Sequence, residues 1–162
     1  MTRVLLDVNV VLDFVLDRSP QAEAATRLWA AAERKEIEAL IPAHGVTTVF
    51  YLAARLRNLA FARRVVGDLL VVPAVAPVDG PILRRAFTLG WSDFEDAVCA
   101  AAAEAASCDL LVTHDPSGFR DCPVLVVDPA SALGILGGGP GPDRVAEGTR
   151  AAPRRRHRRP RL

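Results

Sequence analysis

The sequence is poor in several residue types, and each shortage argues against a class of protein. Aromatic residues make up 6% of the 162 residues, three residues are cysteines, and Lys35 is the single lysine. An odd number of cysteines without C-x-x-C spacing argues against a disulfide framework or a thiolate zinc site and favours a reducing compartment. No apolar run approaches the roughly 18 residues of a membrane span, and acids interrupt the apolar N-terminus where a signal peptide has its core. We therefore expect a cytoplasmic protein with no membrane partner.

Two families of phosphate-handling proteins are also disfavoured. Neither G-x-x-x-x-G-K-[ST] nor G-x-G-x-x-G occurs, so a phosphate-cradling loop is absent from the sequence. The segment D-V-N-V-V-L at 7–12 is typical of haloacid-dehalogenase phosphatases only in part, because that family has a second aspartate where Asn9 stands. That family and the phospho-receiver domains also need a lysine late in the chain, whereas Lys35 precedes the second predicted strand.

The formal net charge of +1 conceals two regions of opposite charge. Residues 150–162 contain seven arginines and no acid, which leaves thirteen basic and nineteen acidic residues in 1–149, a net charge of −6. From Gly137 onward the chain consists mostly of glycine, proline and arginine, and such a segment cannot bury enough apolar surface to fold. The sequence therefore predicts one folded domain at 1–136 and a disordered tail at 137–162.

The folded part alternates between strand and helix patterns. Hydrophobic residues make up 51% of the chain, and alanine, valine and leucine dominate. Asn9 is the predicted cap of the first helix, and Ser19 that of the second, with Pro20 at its first position. The predicted strands are 3–7, 37–41, 71–75, 110–113 and 123–127; the third is a short or edge strand and the last two are buried. The first predicted helix starts at 9, and the others cover 21–35, 45–57, 59–70, 81–89, 93–106 and 129–136. This alternation predicts a three-layer α/β/α domain with a central, mainly parallel sheet of four to five strands.

Several acids stand where open parallel sheets bind ligands, outside the carboxyl ends of the strands. Asp7 closes the first strand, and Asp115 follows the strand at 110–113. Asp96, with Asp93 one turn earlier, lies in the first turn of an alanine-rich helix. Because that helix directly precedes the Asp115 strand, we expect its start near the opposite sheet edge unless loops bring it across.

Each acid alone also has a purely structural interpretation. Asp7 suits an Asx-turn before the first helix, Asp93 suits a helix cap, and Asp115 suits a turn before Pro116. Carboxylates that do converge repel one another and raise each other's pKa, and a divalent cation relieves that repulsion. Oxygen ligands without clustered cysteine or histidine select Mg²⁺ or Mn²⁺ over Zn²⁺.

Four segments together resemble a known family. They are RVLLDVNVVLDFVL at the start, IPAHGVTTVFYLA in the middle, DFEDAVCAAAAEAASCDLLVTHDPSGF late in the chain, and a closing PVLVVDPASAL. Their order and their places on strands and helices resemble the PIN-domain ribonucleases, in the branch of the VapC-type toxins of bacterial toxin–antitoxin modules. The resemblance covers about residues 2–134, nearly all of the predicted folded part.

The resemblance implies a set of metal-binding residues. Asp7 matches the first metal-binding carboxylate, Asp96 the acid that heads the alanine helix, and Asp115 the acid after the V-T strand. Asn9 matches a polar residue two positions after the first acid, and Thr113 a small hydroxyl residue that supports the site. The family fold also brings the start of the alanine helix to the metal. The implied activity is Mg²⁺- or Mn²⁺-dependent cleavage of RNA, in which water activated by the metal attacks the phosphodiester.

One family residue is missing. The family usually has a glutamate in its middle helix, but Thr48 occupies that place and no acid lies between Glu38 and Asp68. Our hypothesis is that Asp93 substitutes for it, since it adds a carboxylate one turn before Asp96. The alternative function is therefore a catalytically weak or inactive PIN-fold module that binds RNA or protein.

The resemblance also implies partners. A toxin of this kind acts on RNA, is held in check by a cognate antitoxin protein, and is expected to form a homodimer. The substrate-binding residues are not identified by the motifs. The arginine-rich tail could supply phosphate contacts that an acidic domain lacks, or it could be a low-complexity extension without a role.

Overall fold

The structure, a computed structural model, describes residues 1–137, so the predicted disordered tail lies outside the described residues except for Gly137. Seven helices and five strands alternate over the described range. They are β1 (Arg3–Leu6), α1 (Val8–Leu16), α2 (Ala22–Glu33), β2 (Glu38–Pro42), α3 (Ala43–Leu56), α4 (Leu59–Leu69), β3 (Ala74–Ala76), α5 (Gly80–Leu89), α6 (Phe94–Ala105), β4 (Leu110–Val112), β5 (Leu125–Val127) and α7 (Pro129–Ile135).

The five strands form one sheet in the order β3-β2-β1-β4-β5. Every neighbouring pair is parallel, with Leu5 opposite Leu40 on one side of β1 and Leu111 on the other. The predicted three-layer α/β/α fold is therefore confirmed. The chain builds outward from β1 to β3, then returns to place β4 beside β1. This reversal opens a crevice between the carboxyl ends of β1 and β4, where open α/β sheets bind their ligands.

Large aliphatic side chains fill one face of the sheet. Alternate strand residues point to this face, because successive side chains of a strand point to opposite sides. Val4 and Leu6 of β1 pack there with Leu12 of α1 and Leu28 of α2, all at most 3% exposed. Phe14 also stacks on Trp29, with ring centroids 4.6 Å apart. This face supplies most of the bulky apolar core.

Small side chains fill the other face. Leu5, Leu40 and Leu111 point there and meet α6, whose buried residues are Ala97, Val98, Cys99, Ala100, Ala101, Ala102 and Ala103. A helix surface of alanine lets the backbone approach the sheet closely, since no long side chain intervenes. The alanine run is therefore a packing surface as well as a strong helix former.

Three local predictions are corrected. The cap of α1 is Asp7, because its carboxylate accepts from the Val8 amide, and Asn9 lies inside the helix. Helix α2 begins at Ala22 with Gln21 as its N-cap residue, so Ser19 does not cap it and Pro20 is not its first residue. Strand β5 is partly exposed because it lies at a sheet edge, where one side lacks a neighbour. The predicted edge position of the strand before α5 is correct.

Candidate active site

The crevice between β1 and β4 opens into a cleft of about 530 Å³. Hydrogen bonding between the two strands continues to their carboxyl ends, where the Asp7 amide donates to the Val112 carbonyl at 2.9 Å. The residues that follow the two strands therefore meet at one place. The cleft is lined by Asp7, Asn9, Asp13, Arg18, Gln21, Asp93, Asp96, Thr113, His114 and Asp115.

Asp7 is the most deeply buried acid of the cleft, at 4% exposure. Its Oδ1 accepts from the Val8 amide at 2.7 Å, and its Oδ2 accepts from the Thr113 hydroxyl at 3.0 Å. The Cys99 thiol lies 3.9 Å from Oδ1. Burial raises the pKa of Asp7, while the hydrogen bonds from Thr113 and Val8 and the nearby His114 work in the opposite direction. The carboxylate is thus held in one orientation by Val8 of α1 and by Thr113, which directly follows β4.

Asp96 reaches the same cleft from the first turn of α6. Burial, followed by the negative charges of Asp93, Asp7, Glu95 and Asp115 in that order, raises the pKa of Asp96 from 3.8 to about 6. The expected position at the opposite sheet edge is wrong. A helix that connects parallel strands runs antiparallel to them, so the start of α6 lies at the carboxyl edge of the sheet.

Asp115 stands at the mouth of the cleft and is exposed. Its Oδ1 accepts from the Ser117 amide at 3.1 Å and from the Ser117 hydroxyl. Asp115 thereby caps a 3₁₀ turn at Pro116–Gly118. The turn lies against Asp96, because a Cβ on Gly118 would stand 2.9 Å from Asp96 Oδ2. Glycine at 118 therefore lets the Asp115 turn approach α6 closely.

The structure places the three other predicted site residues, Asn9, Asp93 and Thr48, on three different parts of the chain. Asn9 is exposed in the first turn of α1 and lines the cleft. Asp93 also lines it and caps α6, since its Oδ1 accepts from the amides of Glu95 at 2.9 Å and Asp96 at 3.1 Å. Thr48 lies on α3, and its hydroxyl donates to the His44 carbonyl of its own helix at 3.2 Å.

Sequence reasoning missed a second group of residues in the cleft. Asp13 is buried at 5% exposure, His114 Nε2 contacts its Oδ2, and Arg18 Nη1 lies 4.0 Å from its Oδ1. A signal for Asp13 existed in the sequence. It follows Asn9 by four residues on the same helix, and residues spaced by four share one helix face.

The donor chemistry of the cleft suits a hard divalent cation. Carboxylate oxygens from three separate elements face one space, and the mutual repulsion that raises the pKa of Asp96 would be relieved by a positive ion. Among residues 1–137, however, no three or more His, Cys, Asp or Glu side chains already form a metal site. The side chains therefore fit such an ion by type and location.

The sequence model for the PIN domain matches residues 3–117. The chain belongs to the PIN-domain family. The match covers β1 to the 3₁₀ turn and so includes every acid of the cleft. The predicted family is thereby confirmed. No curated protein sequence matches this PIN domain.

Solved structures show the same fold at low sequence identity. A chain of VapBC2 from Rickettsia felis, solved with a DNA fragment from the promoter, is 13% identical with a TM-score of 0.62, over 78% of this chain and 98% of that one. VapC20 from Mycobacterium tuberculosis, described as a toxin that cleaves the sarcin-ricin loop, is 16% identical with a TM-score of 0.59, over 71% and 92%. A toxin–antitoxin complex from Klebsiella pneumoniae is 20% identical with a TM-score of 0.59, over 78% and 97%.

Proposed function

We propose that this PIN domain is a metal-dependent endoribonuclease and the toxin of a toxin–antitoxin module. The observation that carries the proposal is the convergence of Asp7, Asp96 and Asp115 on one cleft from three separate elements. The cleft lies where the strand order reverses, between the carboxyl ends of β1 and β4. An acidic cleft at this place suits a cation that binds phosphate. One structural neighbour is described as a toxin that cleaves the sarcin-ricin loop and another is a toxin–antitoxin complex, and both support the same activity.

Asp7, Asp96 and Asp115 would hold the cation, and Asp93 would add a fourth carboxylate. A bound Mg²⁺ or Mn²⁺ would supply the charge that neutralises the phosphate and the acidity that makes water a nucleophile. The protein's own part is positioning. Thr113 and the Val8 amide fix the Asp7 carboxylate, while the Asp93 cap fixes the first turn of α6 and hence Asp96. Asn9 lines the same cleft and would face a bound substrate.

The partners follow from the same proposal. We propose RNA as substrate, a cognate antitoxin as inhibitor and a homodimer as the assembled form. The structural neighbours that are toxin–antitoxin complexes support the antitoxin. No helix within residues 1–137 is both long and apolar enough to cross a bilayer. The three cysteines are unpaired, which suits the reducing cytoplasm where RNA is found. Co-expression with the product of an adjacent small reading frame, followed by purification of one complex, tests the antitoxin.

The decisive experiment for the activity is an RNA cleavage assay with Mn²⁺, with Mg²⁺ and with EDTA. We expect cleavage in either metal and none in EDTA. Asp7→Asn and Asp96→Asn should each lower the rate by about 10² or more, the size typical for loss of a group that stabilises a transition state. Asp68→Asn, an exposed acid on α4 outside the cleft, is the matched control and should cleave like the wild type. Persistent cleavage in Asp7→Asn would contradict the assigned mechanism.

The alternative is a PIN-fold module without strong catalysis. Thr48 in place of the usual glutamate favours it, as does the lack of a ready metal site among residues 1–137. The retained acids at 7, 96 and 115 oppose it. The same assay separates the two functions, since a module would bind RNA or protein with no cleavage in either metal.

A further inference from the structure

The cleft has a cationic side that the carboxylates do not explain. Five acids line it, Asp13 among them, and two basic side chains, Arg18 and His114, lie beside Asp13. Asp7, Asp96 and Asp115 have a proposed role in holding a cation. Asp13, Arg18 and His114 have none, although they lie in the same cleft.

Asp13 needs these neighbours because it is buried. An ionised carboxylate removed from water is costly unless charged or hydrogen-bonding groups compensate it. Its side chain is 7% exposed, His114 Nε2 contacts Oδ2, and Arg18 Nη1 lies 4.0 Å from Oδ1. The histidine directly precedes Asp115, so Asp13 links the end of α1 to the loop that carries a proposed cation ligand.

The backbone fixes where Arg18 emerges. Helix α1 ends at Leu16, and its C-cap Asp17 has a left-handed φ of 50° and donates its amide to the Asp13 and Phe14 carbonyls. The Arg18 amide then donates to the Asp13 carbonyl at 3.0 Å. The chain therefore turns back over the last turn of α1 and starts the Arg18 side chain beside Asp13.

Arg18 retains most of its binding capacity. A separation of 4.0 Å is an ion pair without a hydrogen bond, and the Arg18 side chain is 41% exposed to the cleft and solvent. Within the described part of the chain its guanidinium makes no hydrogen bond, although it carries five N–H donors. An arginine that served only to neutralise Asp13 would be expected to lie against it and be buried with it.

A free guanidinium in an acidic cleft matches the chemistry of the proposed substrate. RNA is a polyanion, and carboxylates around the cleft repel it. Arginine is permanently charged and its planar fork matches two phosphate oxygens. We propose that Arg18 is a phosphate-binding residue for RNA in this cleft, and that buried Asp13 is the residue that positions it. The proposal rests on the ribonuclease function above and adds a substrate contact to it.

The test compares Arg18→Gln, Arg18→Lys and the matched control Arg63→Gln in the full chain. Arg63 is exposed on α4 and lies outside the cleft, so its variant removes the same charge elsewhere. Binding of a fluorescein-labelled 20-nucleotide RNA is measured by anisotropy in EDTA over a series of NaCl concentrations. Cleavage of the same RNA is measured with Mn²⁺.

We expect Arg18→Gln to weaken RNA binding about tenfold relative to Arg63→Gln and to raise KM more than it lowers kcat. The slope of log affinity against log salt should fall by about 0.7, the value for one lost phosphate contact on a single strand. Arg18→Lys should recover part of the affinity. Equal affinity and salt slope in Arg18→Gln and Arg63→Gln would overturn the proposal.

The two proposals fail in different ways. Wild-type protein that binds RNA without cleaving it would overturn the ribonuclease function and leave the Arg18 contact to be judged by binding alone. Wild-type protein that neither binds RNA in EDTA nor cleaves it with Mn²⁺ would overturn both. The positioning role of Asp13 is tested by repeating Arg18→Gln in Asp13→Asn protein, whose folding is checked by its melting temperature. Arg18→Gln should weaken RNA binding less in Asp13→Asn protein than in wild-type protein. An equal loss of affinity in the two backgrounds would mean that the two substitutions are additive and would overturn the positioning role.

Discussion

The two faces of the sheet are packed in opposite ways, and the difference separates stability from site geometry. The face covered by α1 and α2 is filled by leucine, valine and a stacked Phe14–Trp29 pair. The face covered by α5 and α6 is filled largely by alanine. Large side chains contribute more buried apolar area, whereas alanine lets α6 lie close to the strands.

The close approach has a chemical consequence. Cys99 of α6 lies 3.9 Å from the Asp7 carboxylate at the end of β1. Asp96, one turn earlier on α6, then shares a cleft with Asp7. We infer that the bulky face carries most of the folding free energy and that the alanine face sets the distance between the acids. The four predictions below test this division.

The largest effect is expected on the bulky face. Leu28 of α2 is fully buried, so Leu28→Ala should lower the free energy of unfolding by about 2–5 kcal/mol through lost apolar contact and a residual cavity. Leu59→Ala, a 58% exposed residue at the start of α4, is the control and should change it little. Chemical denaturation measures both. A similar loss in the two variants would contradict the assignment of stability to this face.

Enlarging a residue of the alanine face should cost less stability and more activity. Ala101 is 1% exposed, and Ala101→Leu should lower the free energy of unfolding by about 1–3 kcal/mol through overpacking. The added volume should also move α6 outward and so reduce RNA cleavage. Ala105→Leu, at the exposed last residue of α6, should leave both quantities near wild type. Full cleavage activity in folded Ala101→Leu protein would break the link between close packing and the site.

A neutral side chain at position 96 should stabilise the metal-free protein at neutral pH. The pKa of Asp96 is raised from 3.8 to about 6, so the folded state favours its protonated form. Its contribution to stability is full below pH 3.8 and is lost as the pH rises through 6. Asp96→Asn should therefore gain roughly 1 kcal/mol over wild type above pH 7, a figure reduced for solvent screening in an open cleft. Melting in EDTA at pH 4 and pH 7.5 measures it, and a gain that does not grow with pH would be inconsistent with repulsion among the acids.

The smallest stability change is expected for Asp93→Asn. Asparagine caps helices as well as aspartate does, and the lost attraction to the helix dipole is offset by weaker repulsion of Asp96, so unfolding should change by less than about 0.5 kcal/mol. If Asp93 replaces the missing glutamate, Mn²⁺ affinity and cleavage should both fall. Unchanged values for both would leave Asp93 as a helix cap alone.

Periodicity and strand-end position were sufficient to predict the fold and two acids of the cleft, Asp7 and Asp115, whereas the place of Asp96 beside them was implied only by the resemblance to PIN-domain ribonucleases. Asp7 and Asp115 follow strands that are recognisable as short apolar runs, and parallel pairing brings such ends to one edge. Helix α6 was recognisable from its alanine content, yet its position was predicted at the wrong edge because its antiparallel course was not considered. The direction of a connecting helix, once applied, places Asp96 correctly.

Other features depend on packing that local sequence does not encode. The spacing of Asp13 from Asn9 indicates a shared helix face, but the burial of Asp13 and its contact with His114 appear only in the fold. The position of Arg18 depends on the turn between α1 and α2. The start of α2, which follows this turn, was itself predicted wrongly. The approach of Gly118 to Asp96 joins residues 22 positions apart and appears only in the fold. The assignment of roles to the cleft residues stays a prediction.

The most direct test of the account is a titration of the protein with Mn²⁺, followed by calorimetry, for wild type, Asp96→Asn and the control Asp68→Asn at pH 7.5. The account predicts Mn²⁺ binding in the cleft that is at least tenfold weaker in Asp96→Asn and unchanged in Asp68→Asn. Equal affinity in all three proteins, or no binding by the wild type, would contradict the claim that the convergent carboxylates form one cation site.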